Sequence, residues 1–321
     1  MTKVNNNYEL PDHLKLVLSK AKKLEWISLL YLISVVVLMY LTMGSSQAMK
    51  TAWLEDALSL SPSISFLIAS RIYSKGPNKD FPYGYHRVFS IAFLTGSVAL
   101  FAMGAFLCID SAIALIMKDR PTIGTISISD TQIWMGWIMI VVLVYSAIPA
   151  MLLGFKKMPL AKRLHNKILY TDAKTQKADY MTALAAIVGV LGVGAGIWWA
   201  DSATALFISL SVIKDGYKNL SEAIKDLMDR HPVHVADKTK DDLLDKITNE
   251  VKQWVWVEDA VVRFREHGQV YFGEIYVVVI DDDISSSEIE QALEKIKDFH
   301  WKIHDVTIMP VRSLLPYDYT K

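Results

Sequence analysis

Apolar residues gather into six runs along the first two thirds of the chain, at residues 26–43, 51–72, 88–117, 133–155, 173–198 and 200–218. Helical runs of roughly 18–25 such residues cross ~30 Å of hydrocarbon, so each predicts a membrane span. The third exceeds the membrane thickness and must tilt or protrude. Beyond the sixth run the pattern changes. Pro232 and the polar stretch around it read as a hinge over 229–240, and 241–254 has the period of an amphipathic helix. Residues 261–265 and 270–280 alternate like strands about a His267-Gly268 turn. Residues 285–299 form a second helix opened by Ser285 and Glu288, a capping pair, and 304–310 close as a strand. The predicted fold is an α-helical membrane protein with six transmembrane helices and a small C-terminal α+β domain, ferredoxin-like in its helix-strand-strand-helix-strand order. Its parts are an N-terminal segment 1–24, a transmembrane domain 25–228, the hinge 229–240, the α+β domain 241–316 and a tail 317–321.

Charge fixes the expected orientation. Fourteen Lys and Arg residues lie in the N-terminal segment and in the loops after the second and fourth runs, against Lys50, Lys118 and Arg120 on the other side. The basic side is cytoplasmic by the positive-inside rule, so both termini are expected there, in a plasma (inner) membrane. The charged stretch before Trp26 is long, and more spans follow, which argues against a cleaved signal peptide. The formal net charge is zero, so no basic field favours nucleic acid. One cysteine, Cys108, permits no disulfide within the chain. His-Glu-x-x-His, Gly-x-Ser-x-Gly and phosphate-binding glycine loops are all missing, which leaves no enzyme signature.

Candidate chemistry lies in carboxylates within the runs. An acidic side chain at membrane depth costs roughly 2.5 kcal/mol or more on insertion scales, so it faces a partner, a cavity or an ion path. Glu55 and Ser59 share one helix face, one turn apart, while Asp56 points about 100° away. On the fifth run Asp172, Thr175 and Asp179 follow at steps of three and four, with Lys174 and Lys177 on the opposite side. Two helices thus each offer a stripe of oxygen atoms, which can replace the water shell of a divalent cation. The same carboxylates can carry protons once the cation leaves, a physical basis for exchange. Pairing with Lys174 or Lys177 is the structural alternative for Asp172, and the hydroxyls alone commonly bond their own helix backbone. Gly192-x-Gly194-x-Gly196 suggests close helix packing, and Pro62 a kink.

Several strings in order resemble the cation diffusion facilitator, or cation efflux, family. They include Leu54-Glu55-Asp56-Ala57-Leu58-Ser59, Phe81-Pro82-Tyr83-Gly84-Tyr85-His86-Arg87, Lys177-Ala178-Asp179, Trp199-Ala200-Asp201-Ser202 and Asp226-Leu227-Met228-Asp229-Arg230. The resemblance covers nearly the whole chain from about residue 20 to 316. It implies a homodimer joined through 241–316, embedded in the lipid bilayer, that exports divalent metal by alternating access in exchange for protons. No prosthetic group is implied, since the cation is the substrate. The implied transport positions are Glu55, Ser59, Thr175 and Asp179, with Asp56 and Asp172 as auxiliary carboxylates. A charge interlock between Arg87 and Asp229 is implied too, whose breaking would cost about 3–5 kcal/mol if the pair were well buried.

The chain departs from the family pattern at several points. Two expected ligands have become the hydroxyls of Ser59 and Thr175, and none of the eight His residues lies in a span. Zinc sites prefer His and Cys, whereas an oxygen set favours Mg²⁺, Mn²⁺ or Fe²⁺. Asn78, Phe81 and Tyr85 stand where the family's loop binds metal, and Glu258, Tyr276 and Met309 where its soluble domain does. His300 and His304 straddle the junction of the last helix and strand and read as ordinary core or surface residues. The alternative function is a transport-deficient homologue that serves as a membrane scaffold or regulator.

Overall fold

A computed structural model describes residues 10–128, 131–280 and 284–314; the side chains of 128, 131 and 177–179 also lie outside the description. The expected tail 317–321 falls outside it. The chain divides into two compact units. One comprises Leu16–Arg71 and Ile91–Ile224; the other comprises Ile72–Ser90, the chain from Lys225 onward and the first described residues.

Helices dominate the first unit: α1 (Asp12–Thr42), α2 (Gln47–Leu58), α3 (Leu60–Tyr73), α4 (Val88–Met117), α5 (Met135–Arg163), α6 (Lys167–Gly194) and α7 (Ala200–Leu227). Helix α1 runs well before the expected span. Pro11 precedes it, and the Pro11 carbonyl accepts from the Leu14 and Lys15 amides. Leu, Lys and Ala, all good helix formers, carry the turns that follow. Four helices, α1, α4, α5 and α6, are long and apolar enough to cross a membrane. Among the described residues the count by length and composition is therefore four, where the apolar runs suggest six.

Two local causes account for the difference. The second run breaks at Ser59 into α2 and α3, because Pro62 in the first turn of α3 cannot donate to the Leu58 carbonyl. The sixth, α7, carries Asp201, Lys214, Asp215 and Lys218 along its 28 residues. A short hairpin that the apolar pattern does not show, β1 (Thr125–Ile128) with β2 (Thr131–Trp134), joins α4 to α5.

Apolar side chains of α1, α2, α5, α6 and α7 form the core of this unit, among them Met39, Met49, Leu143, Ala186 and Ile208. Backbone groups left over inside it find side-chain partners. Pro149 interrupts the ladder of α5, and the Tyr145 carbonyl it leaves accepts from the Tyr31 hydroxyl of α1 at 2.5 Å. At Gly194 a Cβ would come within 2.6 Å of the Trp134 ring, so the glycine run of α6 serves packing. Asp201, fully buried at the head of α7, accepts from the Ser46 hydroxyl at 2.7 Å and from the amides of Gln47 and Ala48. A carboxylate at the N-terminus of α2 both satisfies orphan amides and favours the helix dipole.

In the second unit the elements follow the expected order: α8 (Leu243–Val251), β3 (Val257–His267), β4 (Val270–Val279), α9 (Ser286–Phe299) and β5 (Ile303–Val311). The sheet order is β3-β4-β5, antiparallel between β3 and β4 and parallel between β4 and β5. Parallel pairing requires a crossover, and α9 supplies it. Ser285 and Glu288 form a complete capping box at its start. Leu244, Ile247, Phe264, Tyr271, Ile275 and Ile296 fill the core between the helices and the sheet. The β3–β4 turn needs Gly268, whose φ of +70° is left-handed and where a Cβ would run into the His86 carbonyl.

Candidate cation site

Helices α2 and α6 pack together in the first unit. Glu55, on α2, is partly buried, and its Oε1 accepts from the Thr182 hydroxyl of α6 at 3.3 Å. Among the described residues nothing donates to its other oxygen, Oε2, which is itself buried. Thr182 extends the 172–175–179 spacing of α6 by one more step of three. The sequence spacing alone carries that continuation. Asp179 lies on α6 between Thr175 and Thr182; its side chain falls outside the description. Asp56 is buried and turned toward Ser146 of α5.

Ser59 and Thr175 meet at one cavity in this unit, with Ser61, Ser97, Thr171 and Asn219 also on its wall. Neither Glu55 nor Asp56 lines it. The Ser59 hydroxyl donates to the Glu55 carbonyl at 3.1 Å, so one of its valences is spent on its own helix. Ser97 and Asn219 carried no signal in the sequence, because nothing in their spacing sets them apart from other polar residues of a helix. Among the described residues no three His, Cys, Asp or Glu side chains converge in a way that could hold a metal. The cavity wall is mostly apolar, with a few neutral polar side chains set into it, and the Glu55–Thr182 contact involves other side chains.

Asp172 has a different partner from either lysine named for it. Lys157 of α5 donates to Asp172 at 2.5 Å and to Glu25 of α1 at 3.0 Å. Gln176 donates to Asp172 at 3.2 Å. The side chains of Lys157 and Glu25 are 0% exposed and that of Asp172 is 2%. Two carboxylates thus enclose one ammonium and tie three helices together. Lys174, by contrast, is exposed.

In the second unit Arg87 donates to Asp229 at 2.6 Å, and both side chains are about 40% exposed (40% and 41%). That exposure places the pair in the range of ~0–1 kcal/mol, well below the value for a buried one. Asp229 holds a left-handed backbone, φ 58°, which aspartate tolerates better than most side chains. Arg87 also donates to His267 Nε2 at 2.8 Å, which sets that ring's proton on Nδ1. His86 and His304 face each other, Nε2 to Nε2, at 3.1 Å. Burial lowers all three imidazoles. His86 falls to about 3, with the His304 and His267 charges adding to the effect. His267 falls to about 4, with Arg87 and Arg265 assisting. His304 also falls to about 4, against the pull of Asp305.

Apolar helices of spanning length, with carboxylates and hydroxyls buried on packed neighbours, define an integral membrane protein suited to handling cations. Residues 26–228 match the cation efflux transmembrane domain, and the chain belongs to that family, the cation diffusion facilitators. It is a transporter family rather than an enzyme family. Among curated relatives, the manganese efflux system protein MneS of Bacillus subtilis is 24% identical over 184 residues, 57% of this chain and 59% of that protein. The uncharacterized transporter YdbO of the same organism is 23% identical over 266 residues, 82% of this chain and 83% of that protein. Protein p34 of Rickettsia rickettsii is 24% identical over 195 residues, 61% of this chain and 60% of that protein. The chain therefore spans about six tenths of the length of MneS and of p34.

Proposed function

We propose that the protein exports divalent metal cations by alternating access, with protons returning in exchange. The membrane part is read as six spans: α1, the broken pair α2–α3, α4, α5, α6 and α7. Both termini are placed on the cytoplasmic side of a plasma membrane, and the soluble α+β domain is read as the contact of a homodimer. Glu55 and Asp179 are the charged ligands, and Ser59 and Thr175 contribute neutral oxygens. Asp56 is an auxiliary carboxylate beside them, and Asp172 becomes available only if its contact with Lys157 opens.

The observation that carries this reading is the buried Glu55 carboxylate, bonded to Thr182 across the packed α2 and α6, with one oxygen left without a donor among the described residues. A buried acceptor in that state is stabilised by a cation or a proton. Oxygen-only donors favour hard ions, and MneS, the relative named for manganese efflux, points the same way. Mn²⁺ is accordingly the expected substrate, with Fe²⁺ and Mg²⁺ next and Zn²⁺ disfavoured.

Uptake of Mn²⁺ into proteoliposomes by Glu55→Gln and Asp179→Asn variants tests the assignment. Each is expected to reduce flux at least about tenfold while the protein stays folded, since each removes a charged ligand. Flux undiminished in folded Asp179→Asn sinks it. No flux from the unaltered protein would favour the scaffold reading instead.

A further inference from the structure

The helical unit holds a buried ion cluster whose charges do not balance. Glu25 of α1 and Asp172 of α6 share the Lys157 ammonium of α5, at 3.0 and 2.5 Å. Two carboxylates against one ammonium leave a single negative charge in a place where all three side chains are buried. An uncompensated charge there is expensive.

Oxygen atoms that lack a donor gather around the same cluster. Glu25 Oε1, Gln176 Oε1, Ser28 Oγ and Ser63 Oγ are buried, and none has a hydrogen-bond partner among the described residues. Ser63, in the first turn of α3, adjoins the Glu25 carboxyl. Ser28 follows Glu25 by three residues on α1 and shares its helix face. Gln176 is anchored through its amide nitrogen, which donates to Asp172 at 3.2 Å and leaves the amide oxygen for another partner. Serines inside helices ordinarily bond their own backbone, and these two do not. We infer that Glu25, Ser28, Ser63 and Gln176 form a site for one hard monovalent cation, Na⁺, seated beside the Lys157 ammonium and separate from the Glu55 and Asp179 positions.

Charge and donor type select the ion. One monovalent cation neutralises the cluster, whereas a divalent one would leave it positive, next to the ammonium. Carboxylate, hydroxyl and amide oxygens are all hard donors. Only two carboxylates take part, in keeping with the lack of any three-acid cluster among the described residues. Asp172 serves here to hold Lys157 and Gln176 rather than to meet the ion. The cation ties α3 to α1 and α6, whereas Lys157 by itself links α1, α5 and α6.

Transport and Na⁺ binding can be tested apart. Full-length protein carrying Glu55→Gln and Asp179→Asn, in detergent, is unfolded thermally in NaCl and in choline chloride of equal ionic strength. A saturable rise in melting temperature with Na⁺ is expected. Glu25→Gln, which removes the excess charge, should abolish that rise. Ser63→Ala should raise the half-saturating Na⁺ concentration at least about tenfold. Lys174→Gln, on an exposed position of α6, should leave it unchanged. Equal stability in the two salts, or an undiminished Na⁺ response in Glu25→Gln, overturns the site. Stabilisation by acid with no response to Na⁺ overturns it too, since a proton would then fill the place. Should Glu25→Gln fail to fold, ²³Na NMR with Ser63→Ala decides. The parent must broaden the Na⁺ line more than the variant does; equal broadening refutes the site.

Discussion

In the helical unit two buried carboxylates, Glu25 and Asp172, enclose the buried Lys157, whereas the second unit gathers imidazoles, His86, His267 and His304, that burial keeps neutral. The two solutions respond differently to disturbance. A buried ion cluster is most damaged by losing one partner, because the remaining charges keep their desolvation cost without compensation. A neutral imidazole cluster is most damaged by gaining charge, which acid supplies. Asp241 shows that the second unit also uses ions, though in another way. Burial alone would raise its pKa, but hydrogen bonds from Lys302, Tyr271 and the Leu243 amide hold it well below the usual carboxylate range.

Acid should therefore separate the two units most strongly. His86, His267 and His304 have folded values of about 3, about 4 and about 4, below the ordinary 6.5. The unfolded chain then binds more protons through that window, so stability is fully present above about pH 6.5 and is lost progressively toward pH 4. Hydrogen exchange followed from pH 7 to pH 4 should show β3, β4 and β5 losing protection. Replacing His86 and His304 with glutamine should flatten that dependence. An unaltered dependence in the double variant contradicts the assignment.

Lys157→Met comes next in size. It leaves Glu25 and Asp172 buried without their cation and is expected to cost about 3–5 kcal/mol, read by thermal unfolding in detergent. Adding Glu25→Gln and Asp172→Asn should recover most of the loss. A Lys157→Met protein as stable as the parent would mean that the cluster is not buried as described.

Lys302→Ala removes a charge-assisted bond to Asp241, made at 2.7 Å by a lysine that is 13% exposed. About 2 kcal/mol is expected, confined to the second unit. The smallest effect belongs to Arg87→Gln. The half-exposed pair with Asp229 predicts a loss of at most ~1 kcal/mol, further diminished by added salt. A loss of several kcal/mol would show that the interlock is buried in the working protein.

The second unit is the more legible of the two in the sequence. Its strands alternate, its second helix announces itself with Ser285 and Glu288, and Gly268 marks the turn; all are local signals between near neighbours. The apolar runs mark the helical unit for a membrane, but they do not show its charged partnerships. Lys157 counts in the sequence as one of the basic residues that set topology, and nothing in the pattern singles out Glu25. They stand 132 residues apart in the chain, a separation no periodicity reveals. Lys174 and Lys177 are the lysines nearest Asp172 along the helix, yet its partner is Lys157 of α5. Helix α1 also begins well before the apolar run. Its lysines broke the apolar run without breaking the helix, since lysine is a good helix former.

The candidate site shows the same division. Periodicity alone put Glu55 with Ser59, and Asp179 with Thr175, on shared helix faces. It did not show that the Ser59–Thr175 cavity and the Glu55–Thr182 contact involve different side chains, because that depends on the break at Pro62. His304 read as ordinary, since a strand pattern says which face a ring occupies and not which loop comes to meet it.

Ion flux is the most direct test of the central claim, that an oxygen set in the helical unit carries a hard divalent cation. Purified protein in proteoliposomes would be given Mg²⁺, Mn²⁺, Fe²⁺, Co²⁺, Zn²⁺ and Cd²⁺ in turn, with a pH reporter inside. The account predicts Mn²⁺ or Fe²⁺ uptake in preference to Zn²⁺, accompanied by proton movement the other way. Preferential Zn²⁺ flux, or no flux of any ion from folded protein, would contradict it.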